Sequence, residues 1–215
     1  MLICLFNAKG GVGKSTCSVH LTYYLSVILK KKVSLIDADP MRISSFWTKQ
    51  LNINVPVYQI TEPDLFLEQI STIDTERDYT LIDCPANASE MNRAILFTLK
   101  AEDKVLIPVK PTSIDKIASN PTLRLIKQAK LHSKEFKSAT FVSMAYRARA
   151  ITAETLDYLR SKEEDTGVKV LSSILYDKAA IADALDQGGV VWTMGNRASS
   201  EQREFTAWCK EVIKL

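Results

Sequence analysis

Asn7-Ala8-Lys9-Gly10-Gly11-Val12-Gly13-Lys14-Ser15-Thr16, entered directly from the apolar run Leu2-Ile3-Cys4-Leu5-Phe6, is the stretch that decides the fold. A short apolar run of this kind reads as a buried strand. A strand that ends in a glycine-rich turn and opens a helix points backbone N–H groups and the positive helix terminus at an anion. Three of the chain's seven glycines fall in this turn, where the missing Cβ lets the backbone approach phosphate oxygens closely. Lys14 is placed to reach β- and γ-phosphates, and the Ser15 hydroxyl to complete a Mg²⁺ shell. Ala8 stands where the strict G-x-x-x-x-G-K-[ST] pattern has its first glycine, and a second lysine, Lys9, follows it.

The next apolar run, Val33-Ser34-Leu35-Ile36, delivers Asp37-Ala38-Asp39-Pro40 to a strand's carboxyl end, where ligands of open parallel sheets bind. Two readings of these carboxylates stand side by side: they order a metal's waters or an attacking water, or they form an Asx-type turn closed by Pro40. Tyr79-Thr80-Leu81-Ile82-Asp83-Cys84-Pro85 is a third buried strand ending in a carboxylate. Asp83 there suits Mg²⁺ bound through a water, and Pro85 to Ser89 suits a loop that senses a γ-phosphate.

The run from Lys9 to Thr16 resembles the deviant Walker A box of the ParA/MinD ATPases. The resemblance implies ATP and Mg²⁺ as cofactors, with the nucleotide held by Lys9, Gly10, Gly11, Val12, Gly13, Lys14, Ser15 and Thr16. It implies that Lys9 reaches across a homodimer interface formed on ATP binding, and that Asp39 positions the hydrolytic water. Lys9, Lys14 and Asp39 are then the catalytic residues, and Ser15, Asp37 and Asp83 surround the metal. Ile107-Pro108-Val109-Lys110-Pro111 resembles the family's segment leading into a dimer-facing helix, and Tyr146-Arg147-Ala148-Arg149 occupies the place of the base-packing loop, making Arg147 an adenine contact. The pattern from Gly167 to Gly188 resembles short plasmid-partition ParA proteins, so the likeness spans the chain. Ala86 and Asn87 replace a usual second proline, which leaves the conformation of the switch loop open.

The fold class that follows is α/β: a single doubly wound, mostly parallel sheet flanked by helices, a P-loop NTPase domain over residues 1–215. At 215 residues with 46% hydrophobic and 25% charged composition, the chain suits one soluble domain. No apolar run approaches the ~20 residues that span a bilayer, so a cytoplasmic protein, nucleoid-associated when ATP-bound, is expected. With the phosphate loop within ten residues of the start, no N-terminal helix-turn-helix is expected. Cys4, Cys17, Cys84 and Cys209 are scattered without a C-x-x-C, which disfavours a zinc site, a disulfide framework or an iron–sulfur carrier.

Net charge is +3, but residues 101–150 carry ten Lys and Arg against four Asp and Glu. Lys127, Lys130, Lys134, Lys137, Arg147 and Arg149 are therefore candidates for sequence-independent contacts to DNA phosphates, against the alternative of a solvated helix face. Lys30-Lys31-Lys32 has a sufficient explanation as cations at the negative end of a helix over Thr16 to Lys30. Trp47 reads as core or dimer surface, and Pro121 is expected to split the helix after Ser113 in two. The final helix, Ser200 to Lys214, is amphipathic with mixed charge on its polar face, favouring packing onto the domain over membrane binding.

The expected function is a DNA-partition ATPase whose ATP dimer binds non-specific DNA. A ParB-like centromere-binding or cargo adaptor protein would stimulate slow hydrolysis and release it. The alternatives are a ParA-like ATPase positioning a protein cargo and a MinD-like membrane-associated one.

Overall fold

The computed structural model describes residues 1–74, 77–87, 89–132, 136–147 and 150–215. Strand and helix alternate from the start: β1 (Leu2–Leu5), α1 (Lys14–Tyr23), β2 (Val33–Asp37), α2 (Ile43–Gln50), β3 (Val57–Gln59), α3 (Pro63–Asp74), β4 (Tyr79–Asp83), α4 (Glu90–Thr98) and β5 (Lys104–Val109). They continue through α5 (Ser113–His132), β6 (Lys137–Ala145), α6 (Ala150–Arg160), α7 (Glu163–Thr166), β7 (Lys169–Tyr176), α8 (Ala179–Asp186) and α9 (Ser199–Lys214). The seven strands form one sheet in the order β3-β2-β4-β1-β5-β6-β7, and every pairing is parallel.

An all-parallel sheet needs cover on both faces, which is why its strands read as continuous apolar runs. Along β1, Leu2 and Cys4 enter one core with Phe66, Ile95, Leu123 and Ile126. Ile3 and Leu5 enter the other with Leu21, Phe205, Trp208 and Val212, the two-residue alternation of a strand. β1 lies between β4 and β5, and Leu5 and Asp37 both align with Asp83. The glycine-rich turn and both carboxylate-ended strands therefore meet at one edge of the sheet.

Several elements differ from expectation. The first helix gives way at Tyr24 to a wider π turn, Tyr24–Ile28; Lys31 N donates to Leu25 O at 2.9 Å and Lys30 takes φ 54°, so Lys30–Lys32 lie beyond the helical turns. Pro121 does not split the helix: α5 runs unbroken for 20 residues. The Tyr158 hydroxyl donates to Asn120 Oδ1 (2.7 Å), just before the proline, and Thr122, just after it, is pinned to the phosphate loop. Tertiary anchors on both sides thus override a local breaker. The short α7 and the 3₁₀ turns of Val191–Ala198 had no periodic signal to announce them.

Trp47 is half-buried and donates from its indole to Leu185 O at 3.2 Å, an internal contact. All four cysteines are buried thiols. α9 buries Phe205, Trp208, Cys209 and Val212. The Lys104 ammonium donates to Val212 O (3.0 Å) and Ile213 O (2.8 Å), a cation at the helix's negative end. Among the described residues no helix is long and apolar enough to cross a membrane.

Candidate nucleotide site

The turn after β1 is held at its start by side chains from distant elements. Asn7 donates from Nδ2 to Pro108 O (2.8 Å), and its Oδ1 accepts from Lys9 N (2.9 Å) and from the Thr122 hydroxyl (3.1 Å). Thr122 Oγ1 accepts from Ala8 N at 3.1 Å. Further on, the Ser143 hydroxyl donates to Val12 O (2.7 Å), and Asn87 N donates to Ala8 O (2.7 Å). Gly11 and Gly13 take φ 70° and 89°, which is the left-handed region that favours glycine. A Cβ on Gly11 would meet nothing within 4 Å, so glycine serves conformation there, and open space lies beside it. No side chain caps α1, so its first-turn N–H groups stand at the mouth of the turn.

Three carboxylates and a lysine converge on this cradle. Lys14 is buried and donates to Lys9 O at 3.2 Å. Burial lowers its pKa, with Asp83 and Asp39 acting the other way. Asp83 is 1% exposed, and burial pushes its pKa up to about 7, aided by the Asp37 charge and opposed by Ser15, Ser44 and Lys14. Its Oδ1 accepts from the Ser18 hydroxyl at 3.2 Å, while Oδ2 is buried without a hydrogen bond. A buried carboxylate oxygen left this way costs free energy unless a cation joins it.

Asp37 is engaged differently. Its Oδ1 accepts from Asp39 N (3.2 Å) and its Oδ2 from Ser45 N (2.7 Å), so it braces the turn as well as charging it. Asp39 accepts from Met41 N (2.9 Å) through Oδ1 and from Ala86 N (3.3 Å) through Oδ2. The Asx-type turn and the approach to the switch loop are thus both present in Asp39. Asn92 secures the same loop, donating to Pro85 O at 3.1 Å and to Asn87 O, with Asn87 at φ 86°.

Lys9 ion-pairs with Asp115 of its own chain; its side chain is 32% exposed and that of Asp115 is 7%. Thr112 accepts from Asp115 N at 3.0 Å and its hydroxyl donates back to the carboxylate. This closes a reciprocal cap at the head of α5. Beside Gly13 and Thr16 lies a cleft of about 170 Å³ lined by Met144, Tyr176 and Ile181 among others. Arg147 reaches its border: the guanidinium lies 5.2 Å from the Tyr176 ring centroid and pairs with Glu204 at 3.1 Å.

The basic candidates do not form one free patch. Lys127 pairs with Asp165 at 2.6 Å, and Lys130 donates to Gly167 O at 2.6 Å while lying 5.7 Å from the Phe136 ring centroid. Lys137 is exposed at the head of β6. Lys134 and Arg149 lie outside the described residues.

Site residues that sequence reading missed are Asn7, Ser18, Asp115, Thr122 and Ser143. Asp115 had a local signal, the Thr112-x-x-Asp115 capping pattern; Asn7 and Ser18 adjoin the loop in sequence but match no motif position, and Thr122 and Ser143 come from α5 and β6, far away in the chain.

A family model for the CobQ/CobB/MinD/ParA nucleotide-binding domain matches residues 3–190. The chain is 28% identical over 216 residues to Maintenance of carboxysome distribution protein A of Halothiobacillus neapolitanus, covering 98% of this chain and 95% of that protein. It is 25% identical over 206 residues to Protein ParA of Rhizobium radiobacter, with 93% and 90% covered. The fold matches the ATP complex of a Cyanothece McdA variant with a TM-score of 0.79 at 14% identity, covering 100% of this chain and 96% of that one.

Proposed function

The chain belongs to the CobQ/CobB/MinD/ParA nucleotide-binding family and is an ATPase, and we propose that it positions a protein cargo in the cell by an ATP-driven cycle on DNA. The observation that carries the choice of cargo is the near full-length similarity to a protein named for maintaining carboxysome distribution. This displaces the DNA-partition reading from first place.

The cofactors are ATP and Mg²⁺. Gly10 to Thr16 cradle the phosphates with backbone N–H groups and Lys14. Asp83 and Ser15 hold the metal, and the open Asp83 Oδ2 fits a cation. Asp37 braces the Asp39 turn from the next strand. Bound Mg²⁺ supplies charge neutralisation to a reaction that needs positioning more than covalent chemistry. Asp39 orients the attacking water and, through Ala86 N, couples that water to the switch loop. Arg147 and Tyr176 flank the base. In the ATP state two subunits close face to face, and each Lys9 leaves Asp115 for the opposite nucleotide. The dimer is held on non-specific DNA, and an adaptor protein on the cargo accelerates an otherwise slow hydrolysis.

A DNA-partition role is the second reading, favoured by the similarity to a ParA protein. The membrane-positioning reading has less support, because α9 buries its apolar face in the domain. Deleting the gene in its own host tests the choice. Clustering of an otherwise evenly spaced protein body, with replicon inheritance unchanged, is the expected result. Loss of a plasmid or chromosome region with protein bodies undisturbed would overturn it in favour of partition.

A further inference from the structure

The end of the sheet opposite the phosphate loop carries a cluster of cations that the nucleotide chemistry does not use. Lys30, Lys31 and Lys32 lead into β2, Arg77 leads into β4, and the two strands are neighbours with Val33 aligned to Tyr79. The turn is fixed by its backbone: Lys32 N donates to Asp78 Oδ2 (2.8 Å), and Tyr79 N donates to Lys32 O (3.2 Å). Lys30 reverses the chain at φ 54°. The four cationic residues line one cleft of about 500 Å³, whose wall includes Val33, Ile53 and Pro56.

Among the described residues none of these four cations has an ion pair, whereas Lys127 and Arg147 of the basic middle stretch are paired with Asp165 and Glu204. Asp78 is the acid at this place, and one of its oxygens is already committed to Lys32 N. Four cations against the one carboxylate described at this turn, Asp78, leave a net positive charge there, and such a charge attracts a polyanion.

We infer that this cleft is the surface on which the chain binds the phosphate backbone of duplex DNA. Lysines on long flexible stems give point charges without base-reading geometry, suiting contact that ignores sequence. The cleft lies a strand's length, roughly 15 Å, from the nucleotide edge. A second copy closing over Lys9 would leave it uncovered. Val27, Ile28 and Leu29 adjoin the cluster but are each only about two-fifths exposed, and among the described residues the exposed aromatic rings, Phe46, Phe97 and Tyr146, are not in the lining of this cleft to anchor a bilayer.

This inference rests on the reading of the chain as a DNA-bound ATPase. The test measures binding of the full chain to a fluorescent random-sequence duplex with ATP and Mg²⁺ over a salt series. It compares wild type, Lys31→Gln/Lys32→Gln/Arg77→Gln and, as a control, Lys127→Gln/Lys130→Gln. The triple variant is expected to bind at least about tenfold more weakly at low salt and to lower the slope of log K against log salt by about 3, with DNA-free ATP hydrolysis unchanged. The control should keep most of its affinity. Wild-type binding with an undiminished triple variant would overturn the cleft assignment alone. Wild type that binds no duplex in any nucleotide state would overturn the assignment together with the DNA-bound cycle. Triple-sensitive binding to phosphatidylserine vesicles in place of duplex would reassign the cleft to lipid headgroups.

Discussion

Lys9 pairs with Asp115 of its own chain, and the proposed ATP dimer would offer it a second partner. Its pairing with Asp115, itself mostly buried and capped by Thr112, holds the ammonium against α5, so a subunit that lends Lys9 to a second copy must first break this pair. Asp115→Asn keeps the reciprocal cap but removes the charge. It is expected to lower the ATP concentration needed for self-association several-fold, measured by light scattering over an ATP series. Asp39→Ala is expected to lower steady-state hydrolysis about 100-fold or more while ATP affinity, measured calorimetrically, stays within about threefold.

His20 gives a pH dependence of another kind. Its Nδ1–H donates to Thr16 O (2.8 Å) and its Nε2 accepts from Val191 N (3.3 Å), a neutral ring fully buried against Phe205. Burial lowers its pKa from 6.5 to about 4. The unfolded chain therefore binds the proton first, and stability present above pH 6.5 is lost as pH falls toward 4, by about 3 kcal/mol. Protonation would also set a second N–H against that of Val191. Denaturant titrations between pH 7 and 4.5 should show this slope, and His20→Gln should flatten it.

Among the elements, α5 organises the site. It contributes Asp115 to Lys9 and Thr122 to Asn7 and Ala8, and it keeps helical form through Pro121, which is exposed. A proline in a helix interior forfeits one backbone hydrogen bond and crowds the preceding turn. Pro121→Ala leaves no cavity, so it is expected to raise stability by about 1 to 3 kcal/mol, read from denaturant midpoints, with ATP binding unchanged.

The strands feeding the site were legible because each is a local apolar run closed by its own functional residue: Phe6 before the glycine turn, Ile36 before Asp37, Ile82 before Asp83. The continuity of α5 was not, because it depends on Tyr158 and Asn7, far away in sequence. The partners of the basic stretch were not legible for the same reason: Lys127 meets Asp165 only once α7 has been folded against α5.

Over the whole molecule, the proposed functions divide between the two ends of one parallel sheet. The carboxyl ends of β1, β2 and β4 gather the glycine turn, Asp37 and Asp83 in one register. The amino ends of β2 and β4 gather Lys30–Lys32 and Arg77. In the proposed cycle phosphate chemistry and a second subunit would occupy one end, leaving the other for the proposed DNA surface. The glycine and carboxylate motifs made the first end readable from sequence. The second end was hidden because Lys30–Lys32, just past the last helical turn, have a sufficient helix-terminus explanation, and Arg77 joins them only through the pairing of β2 with β4.

The central claim is that nucleotide state sets subunit association through Lys9, and multi-angle light scattering of the Asp39→Ala protein tests it most directly. With saturating ATP and Mg²⁺ the mass should double from 24.1 kDa, while ADP, or Lys9→Ala added to the same protein, should leave it single. An unchanged single mass under saturating ATP would contradict the claim.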